Sequence, residues 1–159
     1  MRGKVIKYGN DISTDLIIAG KYTKTLNRND LVIHAMEDLD EHFHEKLKTR
    51  KIIVAGSYFG CGSSREQAPV ALKESGVICI LAKSFSRIFY RNAINLGLPL
   101  AECDTDLIDD DDEIEYYPQE GVVINHTNNK RISVAKMPQI MIDILDSGGV
   151  IEYIKSQGK

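Results

Sequence analysis

Three serine hydroxyls, a guanidinium and three glycines crowd into one stretch of this 159-residue chain, Gly56-Ser57-Tyr58-Phe59-Gly60-Cys61-Gly62-Ser63-Ser64-Arg65. Glycines at this density let the backbone take positive φ and leave room for a ligand to approach the main chain. The apolar run Ile52-Ile53-Val54-Ala55 before them reads as a buried strand. Val70 to Ser75 after them reads as a helix, with Gly76 positioned to close it. A helix start offers unpaired N–H groups and the positive end of a dipole, so anions settle there. Residue types and spacing together describe a pocket for a negatively charged small molecule.

The helix start decides what faces that pocket. Ser64 and Gln67 fit a capping box, but a helix capped at Ser64 would carry Pro69 as its fifth residue. Proline lacks an N–H and belongs in the first helical turn. A start at Arg65 or later removes the conflict. It leaves Ser63 and Ser64 in the loop with the Arg65 guanidinium beside them.

Spacing alone does not name the chemistry. Gly60-Cys61-Gly62-Ser63-Ser64-Arg65 departs from the dinucleotide fingerprint by placing Arg65 where a third glycine allows close helix–strand packing. No lysine follows a glycine as in a phosphate loop, and Ser63 has no glycine two places on as in a nucleophile elbow. Cys61, Cys79 and Cys103 form no C-x-x-C, so no iron–sulfur or zinc ligand set is expected in this chain. His42 and His44, two apart in a segment with helical spacing, point to different faces and read as solvated. Arg87 and Arg91 share a helix face that is either solvated or turned toward a partner or anion. The acidic run Asp104 to Glu115 lacks the spacing of a calcium loop and reads as a solvated turn.

The remaining segments supply the frame. Gly3 to Tyr8 suggests a first strand, and Gly9 to Asp15 is turn chemistry in which Asp11 and Asp15 read as turn and cap residues. Asp30 to Lys48 repeats its apolar residues at helical spacing, as one helix or two short ones. A strand over 77–81 and a helix from about Phe85 to Leu96, ended by Gly97 and Pro99, follow the glycine stretch. A strand at 114–117, a hairpin across Thr127–Lys130, and a helix after Pro138 closed by Gly148-Gly149 complete the chain. Strands alternating with helices, without a linker or repeat, give an α/β class and one domain over residues 1–159.

Composition excludes several functions. A net charge of −3 with no basic stripe argues against nucleic acid as a partner. No apolar run approaches the roughly 18 residues of a membrane span, and the first residues lack a signal-peptide core. Three cysteines without close pairing indicate a reducing compartment, and the expected location is cytoplasmic.

The glycine stretch through Pro69, followed by Lys83-Ser84-Phe85-Ser86-Arg87-Ile88-Phe89-Tyr90-Arg91-Asn92-Ala93 and Gly97-Leu98-Pro99-Leu100, resembles the small subunit of 3-isopropylmalate dehydratase in the aconitase superfamily. Asn10 to Ile18 and Ser147 to Ile151 match as well, so the resemblance runs through nearly the whole chain. It implies a single swivelling β/β/α domain of the aconitase type. It implies a hydro-lyase that dehydrates and rehydrates a 2-hydroxy diacid. A 4Fe–4S cluster would sit in a separate large subunit, with no cofactor bound by this chain. By the same resemblance Ser63 is the catalytic base, and Ser64 and Arg65 bind substrate carboxylate. Tyr22-Thr23-Lys24-Thr25 occupies the place of the loop that selects substrate, where isopropylmalate enzymes resemble Tyr-Leu-Arg-Thr. Thr23 and Lys24 therefore point to a smaller or differently branched malate. The alternative from another class is a regulatory module that senses an acidic metabolite or nucleotide at the glycine loop without chemistry.

Overall fold

In a computed structural model, which describes residues 1–25 and 27–158, seven strands form one sheet in the order β4-β3-β2-β1-β5-β6-β7. The strands are β1 (Arg2–Lys7), β2 (Ile52–Val54), β3 (Cys79–Ala82), β4 (Leu100–Glu102), β5 (Glu113–Tyr117), β6 (Val122–Asn125) and β7 (Lys130–Ser133). From β4 to β1 the strands run parallel; from β1 through β5 and β6 to β7 they run antiparallel. The helices are α1 (Thr14–Ile17), α2 (Arg28–His34), α3 (Phe43–Lys46), α4 (Gln67–Ser75), α5 (Arg87–Asn95), α6 (Gln139–Asp146) and α7 (Val150–Gln157). Parallel strands need crossovers, and α1 to α5 lie within them.

Alternation along the parallel strands shows where the layers lie. Ile6, Ile53 and Ile80 join a core with Phe43, Leu72, Phe89 and Ile142 from the helices. Their neighbours Val5, Ile52, Val54, Cys79 and Leu81 join a second core with Ile114, Tyr116, Val123 and Ile132 from the antiparallel half. Successive side chains point to opposite faces, so the sheet curls until its antiparallel half covers the parallel half. That makes three layers, β/β/α. It also explains why β2 and β3 are continuous apolar runs: both of their faces are buried.

Local chemistry sets the elements. Helix α4 begins at Gln67, which places Pro69 third, and it ends on Gly76 at φ 108 with its N–H directed at Leu72 and Lys73 carbonyls. The α5 start moves past Phe85 because the Ser86 hydroxyl accepts from the Phe89 N–H at 3.2 Å and caps the helix. The segment from Asp30 to Lys48 is the short pair α2 and α3, not one long helix. Met36 takes φ 62 between them and donates its N–H to the Ile17 carbonyl at 2.7 Å.

The acidic run differs from its expected solvated state: Thr105 and Ile108 are buried, and so is one of its carboxylates. Asp112 is buried, and its Oδ2 accepts from the Asp109 N–H and from Asn125 Nδ2, each at 2.8 Å. Asn125 on β6 is wholly buried and needs that acceptor.

Candidate active-site cleft

The loops that leave the C-terminal ends of β1, β2 and β3 are stitched to one another. Gly56 and Gly60 N–H groups donate to the carbonyls of Gly9 and Ile12, and the Thr14 N–H donates to the carbonyl of Cys61, at 2.8–3.0 Å. On the other side Lys83 N–H donates to Gly56, Phe59 N–H to Ser84, and Ser86 N–H to Phe59. Open parallel sheets bind ligands at this end of their strands. A cleft of about 430 Å³ lies there, between residues 58–65 and the first turn of α5.

Ser63, Ser64 and Arg65 line the cleft together, as the late helix start implies. The Thr14 hydroxyl donates to the Ser63 carbonyl at 2.7 Å, so the backbone of Ser63 is held while its side chain stays exposed. Thr14, Ser86, Arg87 and Asn92 also line the cleft, and among the described residues no carboxylate lines it. Its balance of charge is therefore positive, from Arg87 and the N-terminal end of α5, with Arg65 largely balanced from behind by Asp15.

Arg65 is oriented from behind. Its Nη1 donates to Asp15 Oδ1 at 2.6 Å and to the Ile18 carbonyl at 3.1 Å. The Arg65 guanidinium and the Gly20 N–H hold the Asp15 carboxyl below its ordinary value. Asp15, expected only as a turn or cap residue, thus anchors one of the two arginines of the cleft. Asp15 therefore supports this arrangement while it is ionised and stops doing so as the pH falls through its lowered value.

Thr23 and Lys24 lie outside the cleft lining. The Thr23 hydroxyl donates to the Gly20 carbonyl at 2.7 Å and closes the turn Gly20–Tyr22, while the Lys24 side chain is exposed. The loop that carries them is nonetheless tied to the serine loop. Gln67 Nε2, two residues beyond Arg65, donates to the Thr23 carbonyl at 3.0 Å. Gly20 itself lies against the Arg65 guanidinium, and Tyr22 stacks on His34 with ring centroids 3.8 Å apart. Neither Asp15 nor Gln67 showed this role in the sequence.

The Gln67 bond has a measurable consequence. Gln67→Met keeps the length of the side chain and removes the donor, which leaves the Thr23 carbonyl to water. One such bond is worth about 0.5–1.5 kcal/mol. The free energy of unfolding is expected to fall by about that amount, because the tie between the two loops is lost. Urea denaturation of parent and variant checks this; an unchanged midpoint would show that the bond contributes nothing to stability.

Cys79 and Cys103 share the second core, and Cys61 lies apart in the serine loop. Cys79 is buried inside β3, where burial pushes its thiol up to about 12, and Cys103, also pushed up to about 12 by burial, belongs to the second core. Among the described residues no group of three or more His, Cys, Asp or Glu side chains could hold a metal ion.

A curled β/β/α domain with a serine-and-arginine loop at the ends of its parallel strands is the architecture of an aconitase-type swivelling domain. The model of the aconitase C-terminal domain matches residues 4–103. The 3-isopropylmalate dehydratase small subunit of Caldicellulosiruptor saccharolyticus is 48% identical over 160 aligned positions, covering 99% of this chain and 92% of that protein. Small subunit 2 of the Archaeoglobus fulgidus enzyme is 49% identical, with 99% and 96% covered. The crystal structure of the 3-isopropylmalate dehydratase leuD of Methanocaldococcus jannaschii superposes with a TM-score of 0.92 at 42% identity, over 99% of this chain and 94% of that one. The chain belongs to the family of 3-isopropylmalate dehydratase small subunits and is the small subunit of a hydro-lyase. The free-standing sensor reading is not favoured.

Proposed function

We propose that this chain supplies the proton-accepting half of an active site that dehydrates and rehydrates a branched malate, 3-isopropylmalate or a smaller relative. The observation that carries the reading is the cleft lined by Ser63, Ser64 and Arg65 and, among the described residues, by no carboxylate. Ser63 takes the proton from the carbon next to a substrate carboxylate. A serine hydroxyl is a poor acid, so its alkoxide must be stabilised by donors fixed in advance, which the loop N–H groups and the Arg65 charge provide. The planar fork of Arg65, held from behind by Asp15, matches a carboxylate in two bonds and sets the reacting carbon against Ser63. Ser64 adds a hydroxyl donor from the same wall.

The chain's own cysteines make no cluster site, so the 4Fe–4S cluster is assigned to a separate large subunit. There it would act as the Lewis acid for the departing hydroxyl. Without that subunit the chain has a base and no acid. The cytoplasm is the proposed location; among the described residues no helix is long and apolar enough to cross a membrane.

The proposed substrate-selecting segment is the loop of Thr23 and Lys24, which lies outside the cleft lining but is tied to the serine loop through Gln67. An isopropyl group gains about 0.8 kcal/mol per buried methylene, and threonine offers less apolar contact than leucine. Lys24 neutralises a carboxylate as a mobile point charge, not as a fork. Substrates with small methyl branches are therefore expected to be handled at least as well as isopropylmalate. Thr23→Leu with Lys24→Arg is expected to shift kcat/KM toward isopropylmalate by about tenfold, within the reach of a methylene contact.

The test is anaerobic reconstitution with the cluster-bearing large subunit, followed by assay of 3-isopropylmalate, a dimethylmalate and homoaconitate. A parent that already prefers isopropylmalate by a hundredfold, with no effect of the double change, would show that this loop does not set specificity. No turnover of any diacid by an assembled, cluster-loaded pair would overturn the reading as a whole.

A further inference from the structure

A second cavity of about 450 Å³ lies beside the active-site cleft, between α5 and α6. The two share Phe85 and Arg87 in their walls, so they are neighbouring depressions on one face. The apolar lining of the second includes Ile94, Met141 and Ile144, with Ile140 half exposed, and Glu102 adds a single carboxylate against the two arginines Arg87 and Arg91. Arg87 and Arg91 project from α5 on one helix face, and neither forms an ion pair among the described residues. Exposed apolar side chains also mark the cleft: Tyr58 is 53% and Ile88 54% exposed.

Tyr58 presents its ring from a left-handed backbone, φ 60, that a bulky residue rarely adopts. Its N–H donates to the Ser84 hydroxyl at 2.8 Å, which holds it there. An exposed aromatic kept in a costly conformation suits a contact outside the chain better than one within it.

These observations, together with the reading of the chain as a subunit, identify the occupant. The large subunit must cover the cleft for acid and base to meet. A stable complex buries about 800 Å² on each partner, more than the mouth of one cleft supplies. Contact therefore runs on over a neighbouring surface, and the α5/α6 groove is contiguous with the cleft. Its apolar lining beside unpaired arginines has the composition of an interface core, where aromatic residues and arginine are enriched.

We infer that the groove between α5 and α6 is a docking surface for the large subunit, taking an apolar segment flanked by carboxylates. Those carboxylates pair with Arg91 and Arg87, and the apolar part covers Ile140 and Ile144. The inference rests on the subunit reading above.

The experiment is titration calorimetry of the full chain against its large subunit, held anaerobic, with Arg91→Glu and Ile140→Asp as separate variants. Both residues are solvent-facing and outside the cleft, so the melting temperature of the isolated chain is expected to stay within a degree or two of the parent's. Each change is expected to raise the Kd for the large subunit at least tenfold. At saturating large subunit, kcat and KM stay within twofold of the parent. Added salt weakens the parent's binding more than that of Arg91→Ala, since an exposed charge pair is screened. Parental affinity in both variants overturns the inference. So does a smaller mass for the isolated chain in either variant, because that shows the groove holding a second copy. A parent chain that binds no large subunit overturns the subunit reading, and this inference with it.

Discussion

Ser63→Ala, assembled with the large subunit, should turn over its diacid about 10² to 10⁴ times more slowly than the parent, the usual weight of a general base. That is about 3 to 5 kcal/mol of lost transition-state stabilisation. Stability should barely move, because the side chain is exposed and the fold holds Ser63 through its backbone carbonyl and the Thr14 hydroxyl. KM should change little, since Ser64, Arg65 and Arg87 still line the cleft. Single-turnover kinetics on the assembled pair, with a melting curve for each variant, separate these effects. Near-parental turnover would move the base to Ser64 or to the large subunit.

Gly60→Ala should unfold the site from beneath. Gly60 sits at φ 81, and a Cβ built on it overlaps Cβ and Cγ of Phe89. Phe89 cannot step aside: its ring centroid is 5.3 Å from that of Phe59, and both rings are buried. The Ser86 hydroxyl also donates to the Gly60 carbonyl at 2.9 Å, so the loop cannot shift without freeing the α5 cap. Left-handed backbone costs an L-residue about 1–2 kcal/mol, and forcing atoms into a packed core about 1–3 more. A total of about 2–5 kcal/mol is a large part of the stability of a small domain.

Gly62→Ala is the internal control. It has a similar φ of 92, but a Cβ there meets only Thr14 Oγ1 and Ser13 Cβ, at 3.7 and 3.8 Å. It should cost only the conformational share. Urea denaturation of the three chains reads the difference directly. Equal losses for Gly60→Ala and Gly62→Ala would show that Phe89 yields and the packing there is loose.

The serine loop was readable as a cleft wall because its signature is local. Glycine density, an apolar strand before it and a proline-limited helix after it all fall within about twenty residues of Ser63. Two-sided burial of β2 and β3 was readable for the same reason, since it leaves unbroken apolar runs. What escaped was long-range. Asp15 meets Arg65 across 50 residues and Gln67 meets Thr23 across 44, so no spacing rule connects either pair. The burial of Asp112 depends on Asn125 of β6, thirteen residues on, and an acidic run gives no sign of it. Thr23 and Lys24 were legible as a loop but not in position. The pairing of the Thr23 hydroxyl with Gly20 and the exposure of Lys24 are decided by the turn that ends at Tyr22.

The place of β1 in the sheet bears on how the chain is made. This strand is flanked by β2 on one edge and β5 on the other, and the residues it pairs with run from Ile52 to Glu115. Ribosomal synthesis delivers β1 before either neighbour, yet its second edge stays open until the chain has been extended past residue 115. Until then the parallel half exposes the apolar face that β5, β6 and β7 cover later, and unpaired strand edges invite association with other chains. Pairings this distant in sequence also close slowly. The nascent chain is therefore expected to need shelter through most of its elongation, and to collapse into its final packing late, as one cooperative event.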